Sequence, residues 1–584
     1  MKRNYVGFST TFHDSSIAIV NSRGEIVFAE AIERYMQSKR ALNIAPDQLF
    51  YIPKLLKRYI EPGAEIIISN SWSENLSRSL PEIASKVTAL EDVVKSNGID
   101  LPASMLKYLN KLKYYYNSQR HMEEQSNKTI QYILSQMEDY GGPSVVSIKK
   151  YDHHLAHAAT ACYTSRFSEA CCAIFDGFGE NKAYGCFHYH DQNISLIPGI
   201  ASSTTGSLGS YFSEVCNICG LDFFAGEEWK IMGLAAYGNY DESVYDVLRS
   251  FIRVDGLNLH QCVGINLVKY FSQVDKICRK NNAPLDSCAD IAYTGQLLFN
   301  EMLVKYLNNL YELNLSDNLI LGGGCALNSS ANGLVVQKTG FKNLYIFSAP
   351  ADDGNAIGAA LLAYYDDHPF EKRSSLFQIP YLGSEISEFK VKQMEKYSGI
   401  KNMKTYADEV YVHTAKLIAD GKIVGWVQGK AEFGPRALGN RSILADPRCP
   451  NIKEILNERV KYREEYRPLA PSILHEYGDE YFEHYQESPY MERALLFKLG
   501  KRELVPGVVH KDGTGRLQTV KKEWNERYYN LIHAFFLITG IPLVINTSFN
   551  VMGKPIIHSL EDALAVFFTS GLDALVINDI VIEK

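Results

Sequence analysis

The sequence predicts an α/β protein built of two domains. Three observations carry that reading. At 584 residues the chain is too long for one hydrophobic core. Short apolar runs end in Gly- and Asp-rich turns and pass straight into helical patterns, at FDGFG (175–179), LILGGGCALN (319–328) and SAPADDGNAIGAA (348–360). Such units place functional groups at strand ends. Around His368–Pro380 the pattern breaks up, and a second α/β stretch follows, which marks a domain boundary.

Composition excludes several function classes. With 46% hydrophobic and 22% charged residues and a net charge of −7, nothing points to a nucleic-acid surface. The 11 cysteines are scattered. Cys216 and Cys219 form a lone CxxC with no second pair, so reduced core thiols are expected rather than a zinc ribbon. No stretch has the length of a membrane span, and the N-terminus has no apolar leader. The expectation is a soluble, cytoplasmic protein with no membrane partner.

Taken in order, YVGFS and SIAIV flank TFHDS, a hairpin with His13 at its tip. A hairpin rich in glycine and hydroxyl residues opens the actin-like, sugar-kinase-like ATPase folds. A loop histidine titrates near neutrality, about pH 6.5, and suits a general base. A solvent-exposed turn histidine is the equal alternative. Residues 71–140 read as a polar helical insertion that borders a site or makes a subunit contact. Its Tyr114–Tyr116 triplet reads as packing.

The run YDHHLAHAAT (151–160) holds three of the 15 histidines, at the point where a β-rich run enters a helix of small residues. His153 and His157 are one turn apart on one face, about 40° from each other. That spacing lets two imidazoles grip one ion, whereas His154 points elsewhere. A helix with surface or capping histidines is the bland alternative. Two strand-end acids shift the balance: Asp176, and Asp352 or Asp353. Two histidines and two carboxylates suit a divalent first-row metal, Fe(II), Mn or Zn, more than Ca.

Glycine-rich turns follow. Gly206 opens GSLGSY, a helix start that presents free N–H groups to an anion, and Lys230 adds a point charge. Gly323 and Gly324 let the backbone approach a ligand closely, and Asn328 suits a ribose or base edge. The pattern is neither a Walker A loop nor a Rossmann fingerprint. In the second stretch, strand IVGWVQG leads to Arg436, Asn440, Arg441 and Arg448. Lys461, Arg463, Arg467 and Arg516 come later, and this cationic, Gly/Pro-shaped region reads as an anion site. NERYYNLIHAFFLITG reads as an amphipathic helix, and PLVINTSFN as a strand ending in Thr547, Ser548 and Asn550.

The motifs FHDSS, DHHLAHAATA, FDGFGE, GGGCALN, ADDGNAIGAAL, GPRALGNRSILADPR, YRPLAPS, DGTGRLQTV and NTSFNVMGKP span nearly the whole chain. Together they resemble the NodU-type ATP-dependent O-carbamoyltransferases. The resemblance implies an actin-like ATPase (ASKHA) carbamoyl-transfer domain over 1–370, with the insertion at 71–140. It implies a YrdC-like α/β domain over 371–520 and 548–584, with 521–547 returning to the first domain. The implied reaction consumes carbamoyl phosphate and ATP, forms carbamoyl-adenylate, and transfers the carbamoyl group to a hydroxyl of a small-molecule natural product.

The resemblance also assigns residues. Arg436, Lys461, Arg467, Arg516, Ser548 and Asn550 would hold carbamoyl phosphate and ATP, with Arg436, Lys461 and Arg467 acting catalytically. Gly206, Tyr211, Lys230, Gly323, Gly324 and Asn328 would bind carbamoyl-adenylate. His153, His157, Asp176 and Asp352 would hold a divalent metal, Fe(II) favoured, with Mg accompanying ATP. Register selects Asp352, with Asp353 the alternative. His13 would be the base, and a homodimer is implied. Two other readings share the folds. A tRNA threonylcarbamoyl-modifying enzyme would need a basic RNA surface. A non-catalytic ATP-binding scaffold would be expected to have lost some of these side chains.

Overall fold

A computed structural model describes residues 2–46, 51–76, scattered positions between 80 and 98, and residues 100–139, 144–200, 206–280, 283–373, 377–464 and 466–584. Much of the first part of the expected insertion, between 77 and 99, lies outside the described residues. Chain contacts divide into two units. One is Met1–Ile32, Arg40–Leu327 and Leu334–Gln378; the other is Glu33–Lys39, Asn328–Gly333 and Ile379–Lys584. The division after Gln378 falls inside the stretch 368–380. No helix among the described residues is long and apolar enough to cross a membrane.

In the first unit, β1 (Arg3–Ser9), β2 (Ser16–Val20), β3 (Ile26–Ala31), β4 (Glu65–Asn70) and β5 (Val145–Lys150) form a sheet in the order β3-β2-β1-β4-β5. β1 runs antiparallel to β2 and parallel to β4, and β4 is parallel to β5. A second sheet uses β6 (Glu169–Gly179), β7 (Lys182–His190) and β8 (Asn193–Leu196). After a separate hairpin of β9 (Ile252–Asp255) and β10 (Asn258–Gln261), it is completed by β11 (Asn318–Gly322) and β12 (Asn343–Tyr345). Its order is β12-β11-β6-β7-β8, with β6 antiparallel to β7 and parallel to β11. Each sheet is thus a three-strand meander whose first strand is extended by two parallel strands. That duplicated topology is the actin-like fold expected from the opening hairpin. β2 is buried at every position, and β1 at every position after Arg3. Both faces are covered, so these strands read as continuous apolar runs rather than alternating ones.

Four helices position the site. α1 (Ala103–Asp139) belongs to the insertion. The buried Gln119 on it accepts the Phe12 N–H at 2.9 Å and donates to the Thr10 carbonyl at 3.4 Å, so the insertion pins the hairpin tip. α2 (His153–Thr164) starts where the Asp152 side chain accepts the Leu155 N–H. α3 (Leu208–Ile218) starts where Ser207 caps Ser210. α4 (Asn355–Asp367) lies against α2 and β1. Small residues allow this: a Cβ on Gly358 would sit 1.9 Å from the Ala156 carbonyl oxygen, and one on Gly7 1.9 Å from that of Ala356. The alanine- and glycine-rich sequence of both helices is therefore a backbone-contact surface.

The second unit holds a paired β13 (Tyr381–Glu385) and β16 (Lys430–Glu432) and a nine-stranded mixed sheet. The sheet uses β14 (Met403–Thr405), β15 (Val424–Val427), β17 (Arg441–Ala445), β18 (Ala470–Leu474), β19 (Arg493–Leu496), β20 (Thr514–Val520), β21 (Leu543–Ser548), β22 (Ala574–Ile577) and β23 (Ile580–Glu583). Their order is β14-β23-β22-β15-β17-β21-β18-β20-β19. α5 (Val410–Ala419) and α6 (Glu526–Thr539) lie against each other. Tyr528, Leu531, Ile532 and Phe535 of α6 are in this unit's core, so the stretch 521–547 groups with the second unit by its own packing.

Candidate functional site: a buried histidine–aspartate centre and a cationic cluster

In the first unit, His153, His157, Asp176 and Asp352 bring four ligand atoms within 4.8 Å of one another, all from buried residues. Three separate elements deliver them. His153 and His157 lie one turn apart on α2, Asp176 near the end of β6, and Asp352 on the turn before α4. His153 Nε2 is 3.2 Å from Asp176 Oδ2 and 3.2 Å from His157 Nε2. His157 Nε2 is 3.2 Å from Asp352 Oδ1 and 3.8 Å from Asp176 Oδ2. Ligands each about 2.0–2.2 Å from one ion are spaced in this way.

The surroundings fit a bound cation. Burial alone would lower the His153 pKa, but hydrogen bonds that its ring donates to the Asp176 and Asp352 carboxylates raise it to about 10. Burial and Asp352 work against ionisation of Asp176, yet the two histidines hold it below the usual carboxylate range. Asp352 is also held low, by His153 and His157 against the cost of burial. Asn355 Nδ2 lies 3.4 Å from His153 Nδ1, while its own Oδ1 is buried with no partner among the described residues. An amide can be turned over. Oδ1 then accepts from the Nδ1–H, and His153 keeps a bare Nε2 for a metal, as outer partners of ligand histidines do.

The two candidate acids separate clearly. Asp353 Oδ1 accepts the N–H of Gly354, and its carbonyl accepts from Ser16 Oγ. Asp353 shapes the turn, and Asp352 reaches the centre. His154 is not one of the four, and its ring nitrogens are buried without partners among the described residues.

Both glycine-rich turns converge on Asp176. The Gly324 N–H is 3.4 Å from Asp176 Oδ1, and Gly323 adopts φ +81° where a Cβ would meet the Phe175 carbonyl at 2.2 Å. Ser207 Oγ donates to the Asp176 carbonyl at 2.6 Å. A Cβ on Gly206 would meet the Leu259 carbonyl at 2.1 Å, so this glycine serves a close backbone crossing. Tyr211 has no exposed surface and donates to the Gly295 carbonyl at 3.0 Å, which makes it a packing residue. Lys230 pairs with Glu227, and Asn328, in the second unit, caps Ala331.

His13 stands beside the centre, its Nδ1 3.8 Å from Asp352 Oδ2 and 2.9 Å from Asp14 Oδ2. Arg40 holds Asp14 from the other side at 3.2 Å. His13, Asp14 and Arg40 keep 21%, 22% and 17% of their side-chain surface accessible. Burial nevertheless leads the influences on Asp14 and Arg40. Sequence reading missed Arg40, since nothing local marks it. Asp14 carried a signal, as the neighbour of His13 at a hairpin tip.

In the second unit, a cationic cluster gathers Arg436, Lys461, Arg463, Arg467 and Arg516. Lys461 ends a π-helical turn (Asn457–Lys461), and Tyr462 leaves it in the left-handed region. The Lys461 ammonium donates to Ser548 O, to Asn550 O at 3.0 Å and to Asn550 Oδ1 at 2.8 Å. Burial lowers the Arg436 and Arg463 pKa to about 10, with Arg467 adding to the effect on Arg463. Burial and like-charged neighbours push Lys461 and Arg516 well down. Arg463 Nη2 and Arg516 Nε are buried with no partner among the described residues. Glu464 pairs with Arg467 at 2.7 Å. Arg441 and Arg448 do not join. The buried Arg441 guanidinium bonds to the carbonyls of Gln428, Asn440, Ser384 and Gly429, and Arg448 pairs with Asp446 at 2.6 Å.

Comparison with known proteins agrees with the motifs. The family model described as "Carbamoyltransferase N-terminus" matches residues 4–361, and "Carbamoyltransferase C-terminus" matches 415–584. An uncharacterised protein of Synechocystis sp. is 30% identical over 99% of this chain and 96% of its own length. Nodulation protein NolNO of Sinorhizobium fredii is 34% identical over 76% of this chain and 64% of its own length. Nodulation protein NolO of Bradyrhizobium diazoefficiens is 32% identical over 74% of this chain and 79% of its own length. The solved HypF structure from T. kodakarensis gives a TM-score of 0.33 at 13% identity, over 65% of this chain and 49% of that one, too remote a likeness to carry weight. Matched end to end in this way, the chain belongs to the carbamoyltransferase family.

Proposed function

We propose that this carbamoyltransferase is an ATP-dependent O-carbamoyltransferase acting through carbamoyl-adenylate on a hydroxyl of a small-molecule natural product. The observation that carries the reading is the placement of His13, a partly exposed imidazole, 3.8 Å from a carboxylate of the four-residue centre. A base beside a Lewis-acid site is the arrangement that hydroxyl attack on a poor electrophile needs.

In this reading the second unit carries the adenylate-forming, YrdC-like chemistry. Arg436, Lys461, Arg467 and Arg516 bind the anionic groups of carbamoyl phosphate and ATP, with Ser548 and Asn550 orienting Lys461. Carbamoyl phosphate is hydrolysed to carbamate and phosphate. The carbamate oxygen attacks the α-phosphorus of ATP, supplied as its Mg complex, and pyrophosphate leaves. The buried cations offset the charge that develops on the phosphoryl oxygens.

The first unit carries transfer. Gly323 and Gly324 let the adenylate lie close to the backbone. His153, His157, Asp176 and Asp352 would hold the divalent metal, Fe(II) favoured, which when bound supplies Lewis acidity toward an anionic or carbonyl oxygen. His13 takes the proton of the acceptor hydroxyl as its oxygen attacks the carbamoyl carbon, and AMP leaves. Asp14 holds the His13 ring through Nδ1, and Arg40 holds Asp14.

The test leaves the acceptor out. The protein is mixed with ATP and carbamoyl phosphate, and pyrophosphate and carbamoyl-AMP are measured by mass spectrometry. Pyrophosphate that depends on carbamoyl phosphate is the expected result. Pyrophosphate seen only with bicarbonate and threonine would replace this reading with a threonylcarbamoyl one.

A further inference from the structure

Beside His13 lies a cluster of aromatic rings, of which Tyr114, Tyr115, Phe223 and Phe224 come from outside the family's motifs. Phe12, next to His13 and itself buried, packs edge to face against Tyr114 at 5.8 Å, Tyr115 at 5.8 Å and Phe224 at 5.6 Å between ring centroids. Tyr114 and Phe224 meet at 5.8 Å. Tyr115 also packs on Phe178 at 5.6 Å, which fixes it from behind.

The expectation that Tyr114–Tyr116 are packing residues holds for Tyr116, which is buried, but not for the whole triplet. Tyr114 is 52% exposed, and Tyr115, Phe223 and Phe224 are half-buried. The Tyr114 hydroxyl is held by Asn43 Nδ2 at 3.2 Å. Lys111 Nζ lies 4.5 Å from the Phe223 ring centre and donates to Asn217 Oδ1 at 2.7 Å, so it steadies that ring.

This cluster is joined to the base. Arg40 donates to the Phe223 carbonyl at 2.9 Å and to the Phe224 carbonyl at 3.4 Å, and the same guanidinium holds Asp14, which holds His13. Gly226, at φ +68°, lies against Arg40, where a Cβ would be 2.7 Å from Cδ. The rings, the arginine and the base thus form one connected assembly. Half-exposed aromatic faces fixed beside a base suit a flat, weakly polar ligand face.

We propose that Tyr114, Tyr115, Phe223 and Phe224 form the acceptor subsite. They take the face of a hydroxyl-bearing ring, a pyranoside or an aryl alcohol, and turn its hydroxyl toward His13. This rests on the reading of His13 as the base in carbamoyl transfer. Edge and face contacts with carbon-bound hydrogens reward a ring held flat, whereas an open-chain polyol loses rotamer entropy on docking and offers no such face.

The test supplies ATP, carbamoyl phosphate and one of three probe alcohols: methyl α-D-glucopyranoside, benzyl alcohol or sorbitol. Carbamoylated probe and pyrophosphate are measured in the same tube. A ring probe is expected to give at least about tenfold more product than sorbitol. Which ring probe reacts tells a sugar acceptor from an aryl one. Tyr114→Ala is expected to lower product per pyrophosphate about tenfold through a higher acceptor KM, and Tyr114→Phe to restore it. Equal reaction of sorbitol overturns the proposal. So does a Tyr114→Ala protein with an unchanged ratio, or pyrophosphate release with no ring probe carbamoylated. No pyrophosphate from the wild type overturns the functional reading and this inference with it.

Discussion

The two buried clusters of this protein handle charge in opposite ways. In the first unit, two imidazoles meet two carboxylates. The His153 pKa rises to about 10 and those of Asp176 and Asp352 fall, because against the cost of burial the histidine–carboxylate contacts favour the charged forms. In the second unit, like charges meet. Arg436 and Arg463 fall to about 10 and Lys461 and Arg516 fall well below their usual values, because burial disfavours the charge, with cationic neighbours adding to it at Arg463, Lys461 and Arg516 and Glu464 opposing it at Arg463. The first cluster is balanced within the chain and can exchange its protons for a cation. The second is mostly cationic, and in the proposed reading it takes an anion. Two buried charge clusters thus suit ligands of opposite sign, and the direction of the pKa shifts distinguishes them.

The largest expected effect is at the balanced centre. His153→Ala should strip the metal, measured by plasma emission spectrometry, and lower carbamoyl transfer by more than about 100-fold, since even outer partners of ligands cost 10–100-fold. Asp353→Asn should leave metal content intact. Metal retained in the first variant, or lost in the second, would break the assignment of Asp352 and the histidines.

His13→Asn should slow transfer by about 100-fold or more while carbamoyl-AMP still accumulates. Full transfer activity would remove His13 as the base and leave the centre without a proton acceptor of the assigned kind.

At the unbalanced cluster the effects are smaller and of opposite sign. Arg516→Met should raise the stability of the ligand-free protein by about 1 kcal/mol, because it removes one of several buried like charges. It should also abolish stabilisation by sulfate, which in the wild type reaches about 2.7 kcal/mol at 100 times Kd. Thermal unfolding with and without sulfate reads both. A variant less stable than wild type in the absence of sulfate would show that the cations are already balanced.

The smallest effect is protonic. Burial and neighbouring cations lower the Lys461 pKa, so the ligand-free fold favours its neutral form. An anion restores the charge, so sulfate binding should take up a fraction of a proton and weaken as pH rises through the lowered value. Calorimetry in buffers of different ionisation enthalpy measures the uptake. Proton release on sulfate binding would contradict the sign worked out here.

Much of this was legible in the sequence, for a local reason. The hairpin at TFHDS, the one-turn spacing of His153 and His157 and the acid near the end of β6 are all set by residues close together in the chain, where period and turn chemistry rule. Reading failed where a side chain's fate depends on distant backbone. Arg441 and Arg436 look alike in one loop, yet the Arg441 guanidinium is surrounded by carbonyls of Gln428, Gly429, Asn440 and Ser384, and only Arg436 joins the cations. Tyr211 follows a glycine-rich turn as a ligand-binding residue would, but its hydroxyl meets Gly295, 84 residues away.

By itself, then, the sequence determined the element types and the carbamoyltransferase family, and it named the four residues of the proposed metal centre up to one choice. Tertiary structure decided that choice. It turned Asp352 toward the histidines and Asp353 into the turn, tied the Phe12–His13 tip to Gln119 of the insertion, and set Arg40 between an aromatic loop and Asp14. The physical reason is range. Periodicity and capping act over a few residues, whereas orientation at a strand end is fixed by the backbone packed across from it, and that backbone comes from elsewhere in the chain.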